Sequence, residues 1–363
     1  MKLHISDTAF TQLLAAWQEQ EYIDNKDYQF LLSKLSETQT EMLMLTAQKL
    51  TEQHFNKGVY LRGLLEITNY CKNNCFYCGI RADNHNITRY RLNNEEILNA
   101  CKKGAEIGFQ TFVLQGGEDP TLTDDRLCTL IHSIKSEFPQ HAITLSLGER
   151  SYNSYKLLKD AGADRYLLRH ETHNPAHYAH LHPDNMSLNH RLECLYQLKD
   201  LGFQTGAGMM IGSPGQTIEH ITEDLRFLDE LKPQMIGIGP FVPQMIGIGP
   251  FVPAGNTPFQ HHKSGSTELT LLILSLLRIR HPYVLLPATT ALNTRNLQLR
   301  TRAIICGANV LMPNISPAIA KENYQIYENK QNDCETVQQL QQIETSLTNI
   351  GYHINWSRGD YNA

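Results

Sequence analysis

An α/β barrel of the TIM type, (βα)8, is the fold class the sequence predicts, and three observations predict it. From Leu61 onward, short apolar or β-branched runs alternate with longer amphipathic segments, and Gly or Pro punctuates each alternation. Eight such short runs follow one another, the number that closes a parallel barrel. The segments between them are long enough for the crossovers that parallel strands require. With 363 residues, 41% of them hydrophobic and 19% charged, the chain can bury a core of that size.

Taken in order, residues 1–57 are polar, with Leu13, Leu14 and Trp17 recurring at helical spacing, and are read as an N-terminal helical cap. The barrel is expected over 58–315, with strands at 61–68, 111–115, 143–147, 165–169, 205–211, 235–238, 284–287 and 309–312. Helices are expected at 94–107, 124–138, 152–161, 188–201, 218–231 and 269–280. After Asn314 the pattern loosens into a short tail, 316–363, with one more helix and packing on the barrel.

One segment breaks the rhythm. Residues 233–242 read PQMIGIGPFV, and 243–252 repeat them letter for letter. Two copies are too few for a solenoid, and both cannot be adjacent parallel strands without a crossover. One copy is therefore expected to form the strand and the other to bulge out as loop. The even repeat length keeps the in/out alternation whichever copy is used. A duplication introduced in assembling the sequence competes with a functional insertion.

Composition excludes several functional classes. A net charge of −5, with 32 scattered basic residues, leaves no electrostatic footprint for nucleic acid or an anionic membrane. A small-molecule or protein partner is expected instead. No run approaches the ~20 apolar residues of a membrane span, and the first residues lack a basic flank and an apolar signal core. A cytoplasmic location is expected. Eight cysteines are too few for a disulfide scaffold, and three of them crowd into 71–78. Crowding of that kind points to metal.

Cys71, Cys75 and Cys78 have the spacing C-x3-C-x2-C directly after the first predicted strand. Three thiolates on one loop can hold three irons of a cubane and leave the fourth iron open. That iron can chelate the amine and carboxylate of a methionine moiety and pass an electron to its sulfonium. A structural zinc site, with His85 as fourth ligand, is the competing reading, but such sites are closed by four ligands, usually in two separated pairs. Cys101, Cys128 and Cys194 fall in predicted helices and suit core packing.

In a parallel barrel, chemistry gathers at the carboxyl ends of the strands. The second strand ends in Gln115-Gly116-Gly117-Glu118-Asp119, where glycines allow close backbone approach and expose carbonyls. The third ends in Ser146-Leu147-Gly148-Glu149 and the fourth in Arg169-His170-Glu171-Thr172. Opposite charges bordered by hydroxyls can orient a zwitterion, or can form a structural ion pair. Arg191 is placed to meet a carboxylate. The fifth strand is rich in Gly206, Ala207 and Gly208, which leaves room for an adenosyl group or reflects barrel packing. Thr289 and Thr290 close the seventh strand, and Tyr324 and Tyr327 follow in the tail; their hydroxyls suit an anionic substrate or ordinary loops.

On the triad, with Tyr77 just before its third cysteine, and on the glycine-rich strand end, the sequence resembles the radical S-adenosylmethionine superfamily. The segments LLRHET, GAGMMIGSPGQT, GIGPFVPAGNTPF, PATTA, CGANVLMPN and YQIY make it similar to the HydE maturases of iron-iron hydrogenases over 61–327. The resemblance implies a complete barrel with a closed cavity, production of a 5′-deoxyadenosyl radical, and a part in making the dithiomethylamine bridge of the hydrogenase cluster. It implies that Cys71, Cys75 and Cys78 bind one four-iron four-sulfur cluster. Tyr77, Gly116, Gly117, Glu118, Glu171 and Arg191 would contact S-adenosylmethionine. Arg169, Thr289, Thr290, Tyr324 and Tyr327 would anchor a small-molecule or organometallic substrate. Other maturation proteins and a reductant protein are the implied partners of an expected monomer.

Two departures stand out. Some members of that family carry a second cysteine triad near the C terminus, whereas only Cys334 lies there in this chain, so a second cluster is not expected. The duplication falls in a strand that the family has once. Biotin synthase shares the barrel but needs further cysteines on inner strands. Methylornithine synthase also uses one cluster, and the LLRHET and PATTA segments favour the maturase over it. An iron–sulfur carrier is the reading from another class; it would have no need of an adenosyl-sized cavity.

Overall fold

The computed structural model describes residues 6–19, 23–239, 253–288, 297–324 and 336–362. Three helices come first, α1 (Asp7–Glu19), α2 (Asn25–Ser33) and α3 (Glu37–Phe55). They bury Phe10, Leu14, Trp17, Tyr28 and Leu43. The chain then enters β1 (Gly58–Leu61) and β2 (Gly63–Thr68), and alternates as expected: α4 (Asn94–Ile107), β3 (Thr111–Gly116), α5 (Asp124–Glu137), β4 (Ala142–Ser146), α6 (Tyr152–Asp160), β5 (Arg165–Leu167). Next come α7 (Pro175–Leu181), α8 (Leu188–Asp200), β6 (Gln204–Met210), α9 (Ile218–Leu231), β7 (Met235–Gly239) and α10 (Thr267–Arg280).

Strands β2 to β7 form one parallel sheet in chain order. Two shorter stretches complete the ring. Leu285 bridges Met235 in parallel, Pro287 bridges Val310, and Asn314 returns to Leu64. Between them lies α11 (Leu297–Ile305), and Val310–Leu311 forms β8. The eight strand positions read from the sequence are thus occupied, the seventh by single bridges and the eighth by β8, which pairs in parallel with β1 over two residues. Buried apolar residues such as Val113, Ile143, Tyr166, Ile236 and Leu286 explain why these runs read as continuous hydrophobics.

Local signals set the helix boundaries. Asn93 caps α4, and Glu96 returns to the Asn93 N–H in a capping box. Gly108, at φ +113°, ends the same helix. Ser, Thr and Asn caps open α5, α6, α7, α8, α9 and α10 in the same way.

The first copy of the duplicated segment provides the strand, since Met235–Gly239 pairs with β6 over five residues. The second copy, 243–252, lies outside the described residues. The tail departs from expectation. It holds two helices, α12 (Ala318–Asn323) and α13 (Thr336–Thr348), and a final strand, β9 (His353–Asn355), parallel to β1. Residues after β9 cross the amino-terminal mouth of the barrel. There the Arg165 guanidinium, wholly buried, donates to the carbonyls of Arg358 and Gly359 at 3.0 and 3.3 Å and to Asp360 Oδ1 at 2.5 Å. Among the described residues no helix is long and apolar enough to cross a membrane.

Candidate active site

The cysteine loop leaves β2 at the carboxyl-terminal mouth and is held by backbone and cation contacts from several elements. The N–H of Lys72 donates to the Glu118 carbonyl at 3.0 Å, and that of Phe76 to the Leu181 carbonyl at 3.0 Å. Arg89 donates to the carbonyls of Asn69, Ile80, Arg81 and Asn84, tying both ends of the loop together. Arg91 lies 3.4 Å from the centre of the Tyr70 ring and binds Asp119 with Nε and Nη2. Sequence reasoning missed Arg89 and Arg91. Their alternate spacing after the loop was visible, but their targets are carbonyls and side chains that only the fold brings near.

Gly117 has a structural role as well. A Cβ there would sit 2.1 Å from the Tyr70 carbonyl oxygen and 2.7 Å from Cys71 Cβ. The glycine is required for the cysteine loop to dock against β3. Gly148, at φ +77°, does the same for Glu118, whose side chain occupies the space a Cβ would fill. Glu118 in turn accepts the Glu149 N–H at 3.0 Å and lies 3.3 Å from Lys72 Nζ.

One pocket joins the parts. It has about 560 Å³ of empty space, open mouth included, and is lined by the three cysteines together with Tyr77, Glu118, Ser146, Gly148, Arg169, Glu171 and Arg191. Arg169 Nη2 lies 2.9 Å from Glu171 Oε2 and donates to the Met209 carbonyl at 2.8 Å. Arg191 pairs with Glu149 and donates to the Arg169 carbonyl at 3.1 Å. Burial alone would weaken the charge on Arg191, but Tyr178, Glu149 and Glu118 keep it firmly protonated. Glu171 sits at φ +69°, a backbone conformation costly for a side-chain-bearing residue.

Tyr77 is buried with its hydroxyl 2.6 Å from His182 Nε2. His182 Nδ1 faces the Tyr178 carbonyl at 2.9 Å and must carry the ring proton there. Burial, and then Arg191, pushes the His182 pKa down to about 3, so the neutral ring accepts a hydrogen bond from the Tyr77 hydroxyl. Tyr77 thus lines the pocket while its hydroxyl is turned to a histidine that the sequence did not single out.

Tyr324 is fully buried and receives a hydrogen bond from Gln115 Nε2 at 3.3 Å, which sets it at the end of β3. Gly116 meets Thr68 across the same strand pair. Thr289, Thr290 and Tyr327 lie outside the described residues, as does Cys334. Cys101 and Cys194 are buried as expected, whereas Cys128 is only half-buried.

The donor set fits an iron–sulfur cluster. Among the described residues no three His, Cys, Asp or Glu side chains converge closely enough to hold a single metal ion. The three thiols instead ring one pocket, as ligands to separate corners of a larger group would. Burial, and then Glu118, pushes the Cys71 thiol up to about 11; burial and the neighbouring thiols push Cys75 and Cys78 up as well. Thiols in such a place lose their protons to a cationic ligand, not to water.

A family model described as the Radical SAM superfamily matches residues 65–228. The chain belongs to the radical SAM superfamily, and is an enzyme whose cofactors are a four-iron four-sulfur cluster with three cysteine ligands and S-adenosylmethionine. It is 43% identical over 290 residues to the [FeFe] hydrogenase maturase subunit HydE of Thermotoga maritima, across 80% of each chain. It is 28% identical over 307 residues to 3-methylornithine synthase of Methanosarcina acetivorans, across 83% of each. Among solved structures, methylornithine synthase (PylB) superposes with a TM-score of 0.81 at 25% identity, covering 94% of this chain and 97% of that one.

Proposed function

We propose that this enzyme acts in assembling the active-site cluster of iron-iron hydrogenase, in formation of its dithiomethylamine bridge. The observation that carries the reading is one pocket lined by three cysteines, two glutamates and two arginines. The maturation role is supported by the 43% identity to the Thermotoga HydE.

In this reading Cys71, Cys75 and Cys78 hold the cluster. When bound and reduced, it supplies the electron that splits S-adenosylmethionine into methionine and a 5′-deoxyadenosyl radical. The chain's own residues bind and orient. Glu118 and Glu171 meet the cationic groups of S-adenosylmethionine, Arg191 meets its carboxylate, and Gly116, Gly117 and the Tyr77 ring lie alongside. Arg169, Tyr324 and, beyond the described residues, Thr289, Thr290 and Tyr327 take the anionic groups of the substrate. The barrel wall would hold the substrate beside the reacting carbon and exclude competing hydrogen donors. The reading extends to a cytoplasmic monomer that receives electrons from a reductant protein and meets other maturation proteins.

The test is anaerobic reconstitution with iron and sulfide, reduction with dithionite, and assay of 5′-deoxyadenosine beside a Cys75→Ala variant. Cleavage confined to the unaltered protein supports the radical chemistry. Restoration of hydrogenase activity in a host lacking its own maturase subunit supports the maturation role. A second reading, 3-methylornithine formation, is favoured by the TM-score of 0.81 across nearly the whole chain. Appearance of 3-methylornithine in the same assay would replace the first reading with this one.

A further inference from the structure

The Arg169–Glu171 arm has an odd construction. Its two charged side chains line the pocket, while His170 between them points the other way and is wholly buried against α9. The His170 ring packs on Phe227 with centroids 4.8 Å apart, and His173 stacks on the same ring at 4.7 Å. Between the two histidines stands Asp224, also with no exposed surface. Its Oδ1 accepts the His173 N–H at 2.5 Å and lies 3.4 Å from His170 Nε2. Neither Oδ2 nor the two His170 nitrogens has a hydrogen-bond partner among the described residues. The preceding residue of α9, Glu223, accepts from Asn174 Nδ2 at 2.9 Å, so the same helix turn grips the loop twice.

A buried carboxyl group facing an imidazole on the outer side of a binding strand is an expensive element of a fold unless it holds something in place. What it holds is the stretch that turns Glu171 to φ +69°. Backbone contacts from β6 fix only one side of that residue, through the Glu171 N–H to the Gly208 carbonyl at 3.0 Å and the Met210 N–H to the Glu171 carbonyl at 3.0 Å.

We propose that Asp224 is a positioning residue for the cofactor-binding arm: from α9 it pins His173 and faces His170, and so holds Glu171 and Arg169 in the geometry that receives S-adenosylmethionine. The inference rests on the reading of Glu171 as a contact to S-adenosylmethionine. Burial raises the Asp224 pKa and lowers that of His170 to about 3, so in both groups burial favours the uncharged form. An amide is uncharged, has nearly the same shape, and keeps the oxygen that accepts the His173 N–H. Asp224→Asn is therefore expected to behave as the unaltered protein, whereas Asp224→Ala loses both contacts.

The experiment titrates S-adenosylmethionine into the reconstituted enzyme, following its effect on the electron paramagnetic resonance of the reduced cluster, with iron content and thermal midpoint measured in parallel. Asp224→Ala is expected to weaken binding about tenfold at unchanged iron content, as loss of an outer-shell partner does. Asp224→Asn is expected within about threefold of the parent (half the logarithm of that loss). Asp224→Val, which fills the space with apolar atoms, shows the same loss and serves if the alanine variant fails to fold. Unchanged binding in Asp224→Val or Asp224→Ala, with or without a lowered midpoint, overturns the inference and leaves Asp224 a packing residue. Glu171→Ala separates the two readings. If it weakens binding while Asp224→Ala does not, only the positioning role fails; if it also leaves binding intact, the cofactor contact fails and the positioning role with it.

Discussion

The two mouths of the barrel both bury arginines, and they use them in opposite ways. At the amino-terminal mouth, all three guanidinium nitrogens of Arg165 are taken up by the protein: Nε by Gln204, Nη1 by Thr111, and Nη2 by the tail. At the carboxyl-terminal mouth, Arg169 and Arg191 are steadied by Glu171 and Glu149, and both still border an open pocket. Below the pocket, the Gln115 Oε1 and Thr144 Oγ1 acceptors have no hydrogen-bond partner among the described residues. A buried polar atom left without a partner costs about 1–3 kcal/mol, and sites that bind polar ligands carry that cost until the ligand arrives. At Arg165 the floor is finished by its own chain, although Nε of the neighbouring Arg62 has no hydrogen-bond partner among the described residues, and the upper mouth keeps its arginines beside open space.

The comparison breaks first at Gly117. Gly117→Val would drive a side chain into the Tyr70 carbonyl and Cys71, only 2.1 and 2.7 Å from the new Cβ. Cleavage of S-adenosylmethionine is expected to fall on the order of 100-fold, since displacement of about 1 Å at a reacting centre costs that much. Iron content after reconstitution is the check, and it should fall as well. Full iron loading with normal cleavage would mean that the loop docks elsewhere.

A paired substitution sharpens the contrast. Arg165→Met removes the donor to two tail carbonyls and is expected to cost about 2–4 kcal/mol in urea unfolding while leaving affinity for S-adenosylmethionine unchanged. Arg169→Met is expected to do the reverse, costing about 1 kcal/mol of stability and weakening ligand binding at least tenfold through release of Glu171. Equal effects of the two changes on binding would show that the floor and the upper mouth are not separate in function.

The sequence carried what is local or periodic. The runs 111–115 and 235–238 and the helices 94–107 and 218–231 were legible because burial on both sheet faces and capping residues leave marks within a few positions. The triad was legible because its ligands lie on one loop. The residues that steady the site were not, because their partners are distant in sequence: His182 meets Tyr77 across 105 positions, and Asp224 meets His173 across 51. The final strand escaped for a related reason. His353–Asn355 is three residues long, too short to show an alternation, and pairs with a strand almost 300 positions earlier. Gly117 was legible as a position of close backbone approach, but that the neighbouring loop is what a side chain there would meet was not.

The smallest effect tests the floor alone, at Asp360. Burial by itself would raise the pKa of this carboxyl group, but Arg165 and Arg358 outweigh burial and hold it below the ordinary value. A group whose pKa is depressed on folding adds stability above its unfolded pKa, about 3.9, and loses it as the pH falls through the folded value. Asp360→Asn is expected to cost roughly 1–2 kcal/mol at neutral pH, less than a fully buried pair because the side chain is 30% exposed and the tail carbonyls still serve Arg165. Below about pH 4 the parent should lose this advantage, and the two unfolding midpoints should converge. A gap that persisted into acid would mean that Asp360 holds the tail by shape and not by charge, and the floor would then be closed by its backbone carbonyls alone.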